Sequence, residues 1–158
     1  MWYWVQVLSV EDCKGMAVGS LHRFSMLTCL RDLNAGGCML PEEGTWELLR
    51  ALPAGMTCLD LSTNAVSVPV ARLLGGWLAL RRLVLEHQIS DEEGGYELAR
   101  QLGKLNRLKE LGLRIVMTCS VSTKDAVAVE EALRDAIDML PGVNAAVSIV
   151  CLSALFCE

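Results

Sequence analysis

Five times along this chain an apolar residue is followed, three and five positions later, by further apolar or small residues. Eight positions later stands a residue that in four of the five cases is Cys, Asn or Gln. The instances are Val5-Leu8-Val10-Cys13, Leu30-Leu33-Ala35-Cys38, Met56-Leu59-Leu61-Asn64, Leu80-Leu83-Leu85-Gln88 and Leu108-Leu111-Leu113-Val116. Their closing residues lie 25, 26, 24 and 28 positions apart. This near-constant advance constrains the fold more than any other property of the sequence. It calls for one supersecondary unit stacked on itself, each coil burying what its neighbours leave open.

A single coil is too small to enclose its own apolar side chains, so residues at the first, fourth and sixth positions must point inward and stack on those of adjacent coils. The ninth position falls where the chain turns away from the strand and must satisfy backbone groups that no ladder reaches. Asn64 and Gln88 can do so with their amides, and Cys13 and Cys38 partly, through a weak thiol donor. Val116 cannot, which predicts that the last well-formed coil closes differently.

Helix signals occupy the return segments. Ser90 and Glu93 have the spacing of a capping box ahead of Leu98, Leu102 and Leu105 on one helical face. Pro69 stands where a first helical residue would, before Ala71, Leu74, Trp77 and Leu78. Pro41-Glu42-Glu43 opens another helix, with Trp46, Leu49 and Leu52 on its inner side. The segment after Cys13 is the weakest helix former, because Gly15 and Gly19 interrupt it. Past Val116, Ser122 and Asp125 cap a longer amphipathic helix carrying Ala126, Val129, Leu133, Ile137 and Leu140, which Pro141-Gly142 stops. Val147, Ile149 and Leu152 then suggest a degenerate strand in a sixth, closing coil.

Strand-then-helix units with this spacing define a leucine-rich repeat. The predicted class is α/β: a solenoid of about five strand-helix coils, with a parallel sheet on the concave face and helices on the convex face. All 158 residues read as one domain, with five strand-started coils over 1–116 and a helix plus closing coil over 117–158. The apolar segments at Met1-Trp2-Tyr3-Trp4 and Val143–Cys157 lack the polar caps of an isolated solenoid. They point to part of a longer array, or to a subunit with covered ends. About fifteen apolar residues in the tail fall short of the ~20 that cross a bilayer as a helix, which argues against a membrane anchor. Seven cysteines without a C-x-x-C pair favour reduced thiols and a cytoplasmic location, and oppose a zinc site. No basic n-region of a secretory signal precedes the first coil.

The stretch Ile89 to Arg114, ISDEEGGYELARQLGKLNRLKELGLR, resembles a helical repeat of the ribonuclease-inhibitor type, as found in the C-terminal leucine-rich regions of nucleotide-binding innate-immune receptors, the NACHT or NLR family. Met56 to Leu85, with LDLSTNAVSV, is similar to the preceding repeat. The resemblance implies a ligand-sensing or autoinhibitory region placed after a nucleotide-binding switch. The glycine pairs Gly75-Gly76 and Gly94-Gly95 lack the Lys-Ser/Thr of a Walker loop, so this chain is not the switch.

In such a solenoid the third, fifth and seventh positions present the concave face, where repeat proteins bind. They supply the candidate binding residues Asp32, Cys58, Arg82 and Glu110, then Asn34 and Asp60, then Glu86 and Arg114. Acidic side chains at all fifteen such positions outnumber basic ones five to two, and the chain carries a net −5. That balance favours a protein partner with a basic surface and opposes nucleic acid. Trp46 and Trp77 read as core, whereas Trp2 and Trp4 need a cover. Catalysis has one thin candidate, Cys58 with His87 on successive coils. It lacks a recognisable oxyanion element, so no enzyme activity and no cofactor are expected. The expected function is a non-catalytic protein-protein interaction module. The alternatives are a ribonuclease-inhibitor-like binder of a basic protein and a scaffold subunit docked by its apolar ends.

Overall fold

The computed structural model describes residues 4–89, 91–117 and 121–151. Six parallel strands form one sheet in chain order: β1 (Val7–Ser9), β2 (Asp32–Asn34), β3 (Cys58–Asp60), β4 (Arg82–Ile89), β5 (Glu110–Met117) and β6 (Asn144–Cys151). Return segments connect them: a 3₁₀ helix at Val18–Met26, then α1 (Glu42–Ala51), α2 (Val68–Leu74), α3 (Glu92–Leu102) and α4 (Thr123–Asp138). Strictly sequential parallel pairing with a crossover helix between neighbours is the stacking that the repeat spacing requires.

The predicted inward rows are the core. Leu8, Leu33, Leu59, Leu83, Leu111 and Ala145 stand in register across the sheet. From Leu33 to Leu111 this row is buried, as are Leu61, Leu85 and Leu113 in the row beside it. The row is exposed at Ala145 and only half-buried at Leu8, because each lies in the last coil of its end.

Local chemistry starts the helices largely where expected, but each ends short of the last residue the spacing assigned to it: α1 before Leu52, α2 before Trp77 and the exposed Leu78, α3 before Leu105 and α4 before Leu140. Ser122 caps α4 by accepting a hydrogen bond from the Asp125 backbone N–H at 3.2 Å. The inner face of α4 buries Ala126, Val129, Leu133 and Ile137. Helix α1 starts after Pro41 with Glu42 and Glu43 against its positive end and Arg50 in its last turn. Pro69 lies in the first turn of α2, one residue inside the Val68 start. One cap differs: Asp91, whose carboxylate accepts from the Gly94 N–H at 2.6 Å, caps α3. Asp at an N-cap serves as well as Ser and brings a charge to the dipole. Ser90, Trp2, Leu152 and the Gln88 amide lie outside the described residues. Trp77 is buried, whereas Trp46 is only half-buried beneath the Arg50 guanidinium, 4.4 Å from its ring centroid.

Closure of the coils divides the molecule. In the first three coils a residue at the eighth position takes a left-handed conformation: Asp12 (φ 57°), Gly37 (φ 71°) and Thr63 (φ 58°). Each donates its backbone N–H to the next coil, to the carbonyls of Gly36, Ser62 and Glu86 at 2.9, 2.9 and 3.0 Å. The chain then turns, and the ninth residue seals the corner. Asn64 is buried, accepting from the Leu40 N–H at 3.0 Å and donating to the carbonyls of Ala35 (2.8 Å) and Ser62 (3.1 Å). The Cys38 thiol donates to the Val10 carbonyl at 3.0 Å.

The fourth and fifth coils do not turn there. Their strands run on for eight residues, pairing His87 with Ile115 and Gln88 with Val116. Val116, unable to bond the backbone of a corner, sits within β5, and Ile115 and Met117 extend the buried row. The sixth coil is likewise a full eight-residue strand rather than a degenerate one, in register with β5 from Asn144 to Cys151.

Candidate protein-binding face

The sheet has one face toward the helices and one open. Pairing register assembles the open face from the expected positions. One row runs Val7, Asp32, Cys58, Arg82, Glu110 and Asn144; the next runs Ser9, Asn34, Asp60, Val84, Gly112 and Ala146. A third joins Glu86, Arg114 and Ser148. The eight candidate residues therefore occupy one surface, in three adjoining rows.

Their charges are unevenly spent. Arg82 meets Glu110 at 3.5 Å, and Arg114 meets Glu86 at 2.7 Å. Both pairs are more than one-third exposed, so each is worth under about 1 kcal/mol. They do, however, neutralise the β4–β5 half. Across β1–β3 the acids have local neutral partners instead. Glu11 accepts from the Asn34 amide at 3.1 Å. Asp60 accepts from the backbone N–H and the hydroxyl of Ser62, the former at 2.9 Å. Asn34 folds its own oxygen onto the Gly36 N–H at 2.9 Å, and a Cβ at Gly36 would press on both Asn34 and Asp60. The acidic character of the face is thus concentrated on β1–β3.

Cys58 lies half-buried between Asp32 and Arg82. Burial, then the Asp32 carboxylate, push its thiol above the ordinary range, so it stays protonated and weakly nucleophilic at neutral pH. The pairing with His87 does not arise. Cys58 is in register with Arg82, and His87 is five residues further along β4, a backbone separation of about 16 Å at strand rise. His22 is exposed on the 3₁₀ helix, with Nδ1 2.9 Å from the Gly19 carbonyl. Among the described residues no group of His, Cys, Asp and Glu could hold a metal ion. No helix there is long and apolar enough to cross a membrane.

A second feature of this face does not follow from the repeat positions alone. Where the short strands of the first three coils give way to the long β4 and β5, the turning chain leaves a depression of about 540 Å³. Met39, Leu40, Ala65, Val116 and the Glu86–Arg114 pair line it. Its signal in the sequence is the contrast at positions eight and nine. Gly37-Cys38 and Thr63-Asn64 contain turn or corner residues, whereas Ile115-Val116 is a pair of strand formers.

A parallel sheet stacked in sequence order, helices on one side and a polar, laddered face on the other, makes this chain a leucine-rich repeat solenoid. No family model matches the sequence, and no curated protein matches it. Solved structures with the same fold include leiomodin-1 actin-binding site 2, with a TM-score of 0.59 at 16% identity over 84% of this chain and 81% of that one. The tropomodulin C-terminal domain of Caenorhabditis elegans aligns with a TM-score of 0.57 at 13% identity over 86% of both chains. At these identities the likeness is one of fold.

Proposed function

We propose that this chain is a non-catalytic protein-interaction module that engages a partner with a basic surface through the open face of its sheet, chiefly across β1–β3. The observation that carries this reading is the charge distribution: Arg82 and Arg114 are each paired with a carboxylate, while Asp32, Asp60 and Glu11 face outward without a cation in those pairs. One structural neighbour is an actin-binding site, which supports a protein-binding use of the fold and makes actin a probe worth including. The raised thiol of Cys58 and its distance from His87 support a non-catalytic reading.

Charge reversal tests the proposal. Partners captured by the whole chain are to be compared between Asp32→Lys with Asp60→Lys and a control reversal at the exposed convex residue Glu131. Loss with the first pair, retention with the control and weakening by salt are expected. Capture unaffected by reversal of the open face would refute it. The finer reading, a ligand-sensing or autoinhibitory region of an NLR-type receptor in the cytoplasm, rests on the sequence of Ile89–Arg114. It requires a nucleotide-binding segment encoded upstream in the same transcript, and a full-length transcript without one excludes it.

A further inference from the structure

We infer that the depression at the step between the short and long strands is the anchor point of this face. It accepts one bulky apolar side chain of a partner segment that carries a Lys or Arg a few residues away. The inference rests on the open-face reading and adds to it the anchor and the partner's local chemistry.

The cavity lies in the size range of ligand pockets, roughly 300–1,000 Å³. Its wall is apolar, formed by Leu40, Ala65 and Val116, and Met39 stands at its rim with two-thirds of its surface exposed. Met39 is held there in a left-handed conformation (φ 54°), which a non-glycine residue seldom adopts. A flexible thioether at the mouth of an apolar cavity adapts to the shape of an inserted side chain. The Glu86–Arg114 pair lines the same cavity and offers one acceptor and one donor edge to a peptide backbone entering it.

The occupant's charge follows from what adjoins. A second depression of about 290 Å³ shares Met39 and Thr63 with the first, and its charged groups are Glu11, Asp12, Asp60 and Lys14. Three carboxylates against one ammonium leave it acidic. A segment seated by an apolar residue beside Met39 therefore meets negative charge one step toward β1. An acidic segment would be repelled, and an uncharged one would forgo the attraction.

The test is selection of a phage-displayed random dodecapeptide library on the immobilised whole chain. Affinities of the enriched peptides are then measured on variants. Enriched sequences are expected to pair Trp, Phe, Leu or Met with Lys or Arg within about four positions, the reach of an extended chain across both depressions. Met39→Asn, at an exposed site whose left-handed backbone Asn tolerates, removes the apolar rim without adding charge and should weaken them at least about tenfold. Asp12→Asn with Asp60→Asn keeps an amide acceptor at each site. It should weaken them about three- to tenfold at low salt and progressively less as salt rises. Ala65→Gln, which fills the cavity without adding charge and has its thermal melt recorded, provides a second readout. Peptides without the apolar-basic pair, or binding indifferent to Met39→Asn and Ala65→Gln, overturn the inference. If the selected peptides are instead lost on Asp32→Lys with Arg82→Glu, the open-face reading survives and the anchor does not. No enrichment at all counts against both.

Discussion

Asn64 illustrates how one side chain can close a coil. With 2% of its surface exposed and three backbone partners drawn from coils two and three, it replaces bonds that no strand provides at that corner. Asn64→Leu keeps the volume and orphans those partners, so a loss of about 3 kcal/mol is expected in urea denaturation; Asn34→Ala, on the half-exposed face, should cost under about 1 kcal/mol. A second buried polar centre is Glu97, which accepts from Arg100 at 2.7 and 2.9 Å and from Gln101 at 2.7 Å, with Arg72 at 3.4 Å. The Arg100 hydrogen bonds, opposed by burial and helped by Gln101, hold its carboxyl at about 2. A depressed carboxyl pKa contributes stability that is fully present above the unfolded value, near 4.3, and is lost as pH falls toward 2. Because both arginines are more than half exposed, the contribution is screened to about 1 kcal/mol. Acid titration of Glu97→Gln followed by circular dichroism should show a shallower loss of stability between pH 4 and 2 than the parent protein. The role of Asn64 was readable from its place at the ninth position. That of Glu97 was not, because its partners come from its own helix and from α2, and a helical sequence does not say which of its carboxylates faces a neighbouring helix.

Elements repeat this contrast between local and imported information. Ser122, at the start of a 16-residue helix, is legible from sequence because a cap is a contact between residues three apart. Ser122→Ala should lower stability by about 1 kcal/mol in thermal or urea unfolding. The spacing between adjacent helices is a different matter. A Cβ on Gly95 of α3 would lie 2.3 Å from a methyl of Val129 on α4, so that glycine sets how closely the two helices approach. Gly95→Ala should cost about 1–3 kcal/mol through overpacking, despite the better helix propensity of Ala. At Gly103, where a Cβ meets nothing nearer than 3.7 Å, the same change should be near neutral, and paired thermal melts separate the two. Gly94-Gly95 reads in the sequence only as a weak place in a helix; its packing reason belongs to a residue 34 positions later. For the same reason the depression at the strand-length step escaped the repeat pattern. Its wall joins Leu40 and Ala65 to Val116, and no periodicity connects a corner in one coil with an uninterrupted strand two coils away.

At the level of the whole molecule, the repeat spacing already contained the architecture, since the register follows once every inward leucine must stack on the next. Its ends are less protected than its middle. Trp4 is 79% exposed beside β1, and β6, whose outer edge has no partner strand among the described residues, runs Asn144 to Cys151 without a charge or a proline. Asn144 donates to the Lys109 carbonyl at 2.8 Å, so the backbone groups of Ala145, Val147 and Ile149 point away from the sheet. Such an edge templates further pairing. Light scattering in reducing buffer should therefore show a molar mass that rises with concentration, and Ala146→Lys, a charge on an exposed edge residue, should suppress the rise. A mass independent of concentration would show that the edge is not available. The graded strand lengths carry a different consequence. Three rungs of three residues are followed by three of eight, so the ladder is weakly tied at one end and strongly tied at the other. Under stress the molecule should unravel with a direction, shedding β1 and its neighbours while β4 to β6 hold. In hydrogen exchange the amide lifetimes should lengthen from Val7 toward Leu113 as a slope rather than a plateau.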